Sequence, residues 1–247
     1  MTTVAIMQPT FLPWLGYFAL MQYVDHFVFL DDVQFSKQSW QSRNFIKSAN
    51  GKILLSLQVC GKQSGSLIRD VRLVGDGHST KILRSIRNAL ARAPYVDQTT
   101  DILQRSFEEC NGSLCQLNTN IISKIATLAS IATPLHSSSS LGLPSGDRGQ
   151  RLVNICNAFK ATTYVSPVGA FDYLQNDNPF KNSTIKLRFM QYQHPEYSQP
   201  YPPFLPFMGS IDALANVGPT AFSSLCASGI EGLLAIEELG GTNDQDL

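Results

Sequence analysis

The chain has no charge excess, no long apolar run and no paired cysteines, and each absence removes a class of function. Lys plus Arg equals Asp plus Glu at 19 each. The molecule as a whole therefore has no basic field to hold a nucleic-acid duplex, though a local basic patch stays open. The apolar runs stop well short of the roughly twenty residues that cross a bilayer. No charged-then-apolar leader is visible, because Met1-Thr-Thr leads straight into a strand-like run, and a cytoplasmic protein is expected. Cys60, Cys110, Cys115, Cys156 and Cys226 are odd in number and scattered. None forms the Cys-x-x-Cys pairs of a zinc or redox site, so they read as free buried thiols. No serine nucleophile elbow, His-Glu-x-x-His, Walker loop or Gly-x-Gly-x-x-Gly opens a strand–helix junction. A chain of 247 residues is expected to be one domain, or one with an inserted lobe, and buries a core without disulfides or metal.

What is there concentrates in the first sixty residues. Val4-Ala-Ile-Met stops abruptly at Gln8-Pro9, and Phe27-Val-Phe-Leu stops at Asp31-Asp32. Short apolar runs bounded by turn residues mark strands buried on both faces, as in a parallel sheet. Leu12 to Asp25 reads as a helix with Pro13 in its first turn, where a missing N–H costs nothing. Strand, helix, strand over about thirty residues is the βαβ unit. Ligands of open α/β sheets bind beyond the carboxyl ends of the strands. Gln8 and the segment Asp31-Asp32-Val33-Gln34 thus fall at one mouth.

Further on, Asn50-Gly51 between Phe45-Ile-Lys-Ser and Lys52 to Val59 predicts a hairpin with a type I′ turn. Gly61 to Gly65 reads as a loop and Ile68 to Val74 as a short strand. Helical stripes follow: Ile82, Ile86, Ala89, Leu90 and Ala93; then Val96 to about Glu109; then Leu117, Ile121, Ile125 and Leu128. They predict a helical insertion over about 79–131. Pro134-Leu-His136 reads as a strand and Ser137 to Gly142 as flexible. Asp147 caps a helix reaching Phe159, and strands follow at Thr163–Ser166 and Ile185–Gln191. A Pro- and aromatic-rich loop spans Tyr192 to Pro206, and Ser210 to Asn216 reads as a short helix. The expectation is one α/β domain over 1–235, Rossmann-like and mostly parallel, with a hairpin flap, the helical insertion and a flexible tail over 236–247.

Several side chains carry chemistry on this map. Asp31 and Asp32 would hold Mg²⁺ against a diphosphate, or orient a nucleophile. Gln8 would hydrogen-bond a base or sugar. Trp40 would stack on a ring, Arg43 would grip phosphate, and Asn44 stands beside them. Trp14 and Tyr17 are further ring candidates, His194 is a candidate general base, and Asp212 is a candidate polar contact. Each has a plainer reading: a solvated turn for the aspartates, packing under the hairpin for Trp40, a surface ion pair for Arg43. Likewise Trp14 and Tyr17 would be core, His194 exposed and Asp212 a cap.

Met7-Gln-Pro-x-Phe-Leu-Pro-Trp-x-Gly-Tyr-Phe18, Phe29-Leu-Asp-Asp-Val-Gln-Phe35 and Trp40-Gln-Ser-Arg-Asn44 resemble the WbqC-like family. So do Tyr164-Val-Ser166 with Tyr173, His194-Pro-Glu-Tyr197 with Gln199, and Ser210-Ile-Asp212 with Asn216 and Gly218. The resemblance runs from about residue 3 to about residue 225. It implies a cytoplasmic enzyme that modifies a sugar, such as an activated amino sugar, for bacterial surface polysaccharide, notably O-antigen. The leading expectation built on it is a transferase acting on a nucleotide-linked sugar, in its most concrete form moving an acyl or aminoacyl group such as glycyl onto the amine of an amino sugar. One departure is Ser166-Pro167 where the family pattern is Ser-Gly; proline removes a backbone donor there. A more distant likeness links Thr10-Phe-x-Pro-x-x-Gly-Tyr17 to a phosphate-facing loop of the nucleotidylyltransferase superfamily. Trp14 and Tyr17 stand where that loop has histidines, which argues against standard nucleotidyl transfer. With these likenesses Pro9, Thr10, Gln34, Ser166 and Tyr197 join the binding candidates. The alternatives are amine transfer to an activated nucleotide with release of pyrophosphate, or a non-catalytic glycan-binding or scaffold protein using the Tyr192 to Phe207 loop.

Overall fold

The first two apolar runs pair as parallel strands, β1 (Thr3–Met7) and β2 (His26–Phe29), in register from Val4 opposite His26 to Met7 opposite Phe29. The computed structural model describes residues 1–61, 65–75, 77–144, 147–176 and 178–240. Three more parallel strands join them: β5 (Leu135–Ser137), β6 (Thr163–Pro167) and β7 (Lys186–Tyr192). The sixth, β8 (Ile230–Leu234), runs antiparallel beside β7. Spatial order is β5-β2-β1-β6-β7-β8, with β3 (Arg43–Ser48) and β4 (Gly51–Ser56) forming a separate antiparallel hairpin. The chain therefore starts in the middle of the sheet, walks to one edge, and returns to walk to the other. This is the mostly parallel, Rossmann-like α/β arrangement expected.

Side-chain alternation on the strands feeds two cores. Ala5, Phe27 and Phe29 face one layer, made by α1 (Leu15–Tyr23), α4 (Leu114–Leu128) and α7 (Ser210–Ser228). Val4, Ile6 and Val28 face the other, where α5 (Arg148–Ala158) supplies Leu152 and Ile155. Right-handed crossovers dictate this division, since α1 carries the chain one way along the sheet and α5 carries it back. Phe18, Phe27 and Phe222 are fully buried, and each contributes roughly 1.5–3 kcal/mol. The predicted helical insertion is present as α2 (Gly77–Ala89), α3 (Val96–Glu109) and α4. Among the described residues no helix is long and apolar enough to cross a membrane.

Several local expectations are corrected. The first helix begins at Leu15 rather than Leu12, because Leu12 takes φ +51° and Pro13 precedes the helix. The expected strand over Ile68–Val74 is a 3₁₀ turn at Ile68–Asp70 followed by isolated bridges. That turn buries both Ile68 and Val71, which strand alternation would place on opposite faces. Ser137 to Gly142, read as flexible, ends β5 and then forms a 3₁₀ turn with Ser138 fully buried. The short helix at Ser210 continues to Ser228 through a kink. Neither β8 nor the helices α6 (Phe171–Asn176) and α8 (Ile236–Gly240) was anticipated, and α8 takes the start of the expected tail. The rest of that tail, 241–247, and residues 62–64 of the Gly61 to Gly65 loop lie outside the described residues.

The kink in α7 explains why a Gly-Pro pair does not end it. Pro219 has no N–H for the Ala215 carbonyl, and the Tyr95 N–H donates to that carbonyl instead, at 2.9 Å. Gly218 holds φ +76°, and a Cβ there would stand 2.6 Å from the Tyr95 ring. Gly218→Ala should therefore cost at least about 2 kcal/mol in urea unfolding. A change within about 0.5 kcal/mol, the ordinary range for a neutral surface substitution, would contradict this.

Candidate functional site

β1 and β6 lie side by side where the chain reverses its walk, and they pair only at Thr3–Thr163 and Val4–Tyr164. Toward their carboxyl ends they no longer pair, and a cavity of about 970 Å³ opens there. This is the topological switch point, where open α/β sheets bind ligands. Its walls come from the segments after β1, β2, β5 and β6 and from the first turn of α5. Another hollow, of about 800 Å³, runs along α2 and α3 and is remote from the strand ends.

The loop from β1 to α1 forms the first wall. It contains Pro9 and Pro13, so it has few donors of its own, and its carbonyls are satisfied from elsewhere. Tyr17 donates its hydroxyl to Gln8 O at 3.1 Å, and Asn118 of α4 donates to Pro9 O at 3.0 Å. Asn44 of β3 donates to Phe11 O at 3.1 Å and Leu12 O at 2.7 Å, which supports the positive φ of Leu12. Ser210 N–H closes the set on Pro13 O at 2.9 Å. Asn118 also donates to Gln41 O at 2.8 Å, tying this loop to the segment after β2. Gln8 and Thr10 are left facing the cavity.

The second wall is acidic and internally paired. Asp31 is 4% exposed and accepts from Ser139 N–H at 2.9 Å and from the Ser139 hydroxyl at 2.6 Å. The Ser138 hydroxyl stands 3.0 Å from Asp31 and 2.6 Å from Asp32, so one proton serves two carboxylates. Asp32 also pairs with Arg151 of α5, an ion pair largely shielded from water. Arg151 also donates to the Leu143 and Pro144 carbonyls at 3.2 and 3.0 Å. Asp31 thus locks the end of β2 to the turn after β5, and Asp32 alone of the pair lines the cavity. Among the described residues no group of three or more His, Cys, Asp or Glu stands together to hold a metal ion.

The mouth carries two exposed arginines and one exposed aspartate, Asp147, whose carboxylate caps α5 by accepting from Gln150 N–H at 2.7 Å. Arg69, on the 3₁₀ turn, is exposed, and its contact with exposed Asp70 spans 3.8 Å. Arg148, in the first turn of α5, is exposed and makes no ion pair among the described residues. Both line the cavity, together with Trp40, which is 54% exposed. At the far wall Ser166 is fully buried, beside Tyr164, whose hydroxyl pKa is raised by burial.

Of the residues singled out in the sequence, the cavity brings together Gln8, Thr10, Asp32, Gln34, Trp40 and Ser166. Pro9, Tyr17, Asp31 and Asn44 stand behind its walls as supports. Arg43 begins β3, opposite Ser56, and is not part of the lining. Trp14, His194, Tyr197 and Asp212 belong to a separate cluster. There Trp14 stacks on His194 at 6.2 Å and meets Phe207 at 5.5 Å. Burial lowers the His194 pKa, and its Nδ1 lies 3.0 Å from Pro195 O. Asp212, fully buried, accepts from Lys47 N–H at 2.9 Å, Tyr197 hydroxyl at 2.8 Å and Gln199 at 3.2 Å. Sequence reading missed Arg69, Arg148, Arg151, Gln41, Asn118, Ser138 and Ser139. Arg148 and Arg151 had a signal: three apart in the first turn of a recognised helix, they share one face.

These features define a class: a Rossmann-like α/β protein with its cavity at the switch point, an internally paired acidic wall and two exposed arginines at the mouth. The chain belongs to the WbqC-like protein family, whose model matches residues 8–224. It is also similar to the uncharacterized protein Rv1507c of Mycobacterium tuberculosis, 32% identical over 225 residues, which cover 90% of this chain and 96% of that protein. No solved structure matches the chain. Family membership suggests a role in polysaccharide-related biosynthesis.

Asn118→Ala would strand two buried carbonyls, and about 2–4 kcal/mol of unfolding free energy should be lost. A loss under about 1 kcal/mol would show that the loop does not depend on that amide. A second expectation concerns pH. Burial holds the Asp212 pKa above its ordinary value, against the opposing hydrogen bonds from Lys47, Tyr197 and Gln199. A raised folded pKa contributes stability below the ordinary value that is lost as pH rises through the folded one. Asp212→Asn should gain on the native protein as pH climbs from about 4 to 7. A stability difference that stays flat over this range contradicts the shift.

Proposed function

We propose that this protein binds a nucleotide-linked amino sugar in the switch-point cavity and acts as a transferase in surface-polysaccharide biosynthesis. The transferred group is acyl or aminoacyl, glycyl in the simplest case, and it moves onto the sugar amine. The observation that carries the reading is the pairing of that cavity with two exposed guanidinium groups: Arg69, with one 3.8 Å contact to Asp70, and Arg148, beside the helix cap Asp147 and without an ion pair among the described residues. A diphosphate suits them, because guanidinium forks match phosphate oxygens. In this reading Trp40 offers its ring to the base, and Gln8 and Thr10 supply hydrogen bonds. Asp32 accepts an N–H of the amine and aims its lone pair at the acyl carbon. A C–N bond forms as the bond to the acyl carrier breaks, and the amine proton leaves with the carboxylate. If Mg²⁺ takes part, Asp32 is its carboxylate contact in the lining. Amine transfer to an activated nucleotide would use the same cavity and is distinguished by release of pyrophosphate.

A second reading rests on a different surface. Phe207 is 56% exposed beside Trp14 and His194, and such a platform suits the apolar face of a free glycan. Thermal unfolding against a panel of nucleotides, nucleotide sugars and free glycans, each with and without Mg²⁺, separates the readings. At a hundredfold excess over Kd a nucleotide sugar should raise Tm by about 5–10 °C. The rise should shrink in Arg148→Ala and Arg69→Ala. A panel that answers only to glycans, with the response lost in Phe207→Ala, would overturn the transferase reading.

A further inference from the structure

The hydrogen-bond chain through Gln41 has a polarity that chemistry alone fixes. Gln41 is 2% exposed, and all its polar groups have partners. Its backbone N–H donates to the Ser39 hydroxyl at 3.3 Å and its carbonyl accepts from Asn118. Its side-chain oxygen faces the backbone N–H of Ser36 at 3.0 Å. A backbone N–H only donates, so the Gln41 amide must present oxygen there and nitrogen on its other side. That nitrogen lies 2.8 Å from Gln8, so Gln8 must present its own oxygen to it. What remains of Gln8 for the cavity is its NH₂, which has no partner among the described residues. The amide orientation usually ambiguous for glutamine is settled here by one main-chain donor two side chains away.

We propose that Gln41, acting through Gln8, makes this part of the cavity a donor-only contact, so that the ligand must offer an acceptor there. Trp40, adjacent to Gln41 in the chain and half-exposed on the same wall, makes the ring beside that contact the base. A pyrimidine that turns its 4-position to Gln8 therefore carries a keto oxygen there, as in a uridine nucleotide, and not an amino group, as in a cytidine nucleotide. Gln41 is a positioning residue, and the atom that reads the ligand is Gln8 Nε2. The inference rests on the nucleotide reading of the cavity and sharpens it to one base class.

Uridine diphosphate and cytidine diphosphate test it, since their bases differ only at the 4-position, keto against amino, and at the neighbouring N3, which carries a proton in uracil and a lone pair in cytosine. Isothermal titration of the intact protein should give a Kd for the cytidine compound about tenfold higher, the penalty of two donors face to face. Gln8→Glu, at an exposed position, puts an acceptor in place of the donor and should bring the ratio to one or reverse it. Gln41→Ala leaves Gln8 free to turn either way and should reduce the ratio toward one. The ratio cancels any general loss of phosphate affinity, which a merely structural role of Gln41 would produce. Equal binding of both compounds by the native protein, or a preference unchanged in Gln8→Glu, overturns the inference and leaves the nucleotide reading standing. If neither compound binds, the nucleotide reading fails and the inference falls with it.

Discussion

The side-chain amide of Asn118 donates one proton to the Pro9 carbonyl and the other to the Gln41 carbonyl, inside a core with no solvent access. Those two carbonyls belong to the two segments that leave the central strands for the site. A loop with two prolines cannot satisfy its own backbone, so its shape is imposed by amides that reach it from other elements. Asn118 comes from the helical insertion and Asn44 from the hairpin. Neither excursion is therefore a mere attachment to the Rossmann-like sheet. Each supplies a donor without which the first wall of the cavity would carry unpaired buried oxygens.

The same logic separates the charges of the site. Asp31, Asp32 and Arg151 are shielded from water and engage one another or nearby hydroxyls and carbonyls, as buried charges must. Arg69 and Arg148 stand in solvent at the rim, where a charge costs little to hold and is available to a ligand. The acidic wall thus acts mainly as a brace that sets β2, β5 and α5 relative to one another, with Asp32 its face toward the cavity. The buried network of Lys47, Gln199 and Asp212 does a similar job under the aromatic loop.

Strands β1 and β2 were legible because apolar runs ending in Gln8-Pro9 and Asp31-Asp32 have few other interpretations. The hairpin was legible from Asn50-Gly51, although not its turn: Gly51 (φ +96°) already pairs with Ser48, and Ala49 and Asn50 between them lack the positive φ of a type I′ turn. The insertion was legible from its helical stripes. Features set by partners distant in sequence were not. Ser137 to Gly142 looks like a polar linker until Asp31 is brought beside it, more than a hundred residues away along the chain. Gly218-Pro219 looks like a helix end because the sequence does not show Tyr95 donating to the freed carbonyl. Trp14 and His194 carry ring chemistry that suits either a site or a core. Only the fold places them in the aromatic cluster, and Gln8 and Trp40 at the cavity.

Trp14 and Trp40 are the two tryptophans of the chain, and they report on the two competing surfaces. The most direct measurement is therefore a titration with uridine diphosphate followed through the two indole N–H resonances by nitrogen-15 NMR. A ligand in the switch-point cavity predicts that the Trp40 signal moves and saturates while that of Trp14 stays in place. Movement of Trp14 alone, or of neither, would contradict the account.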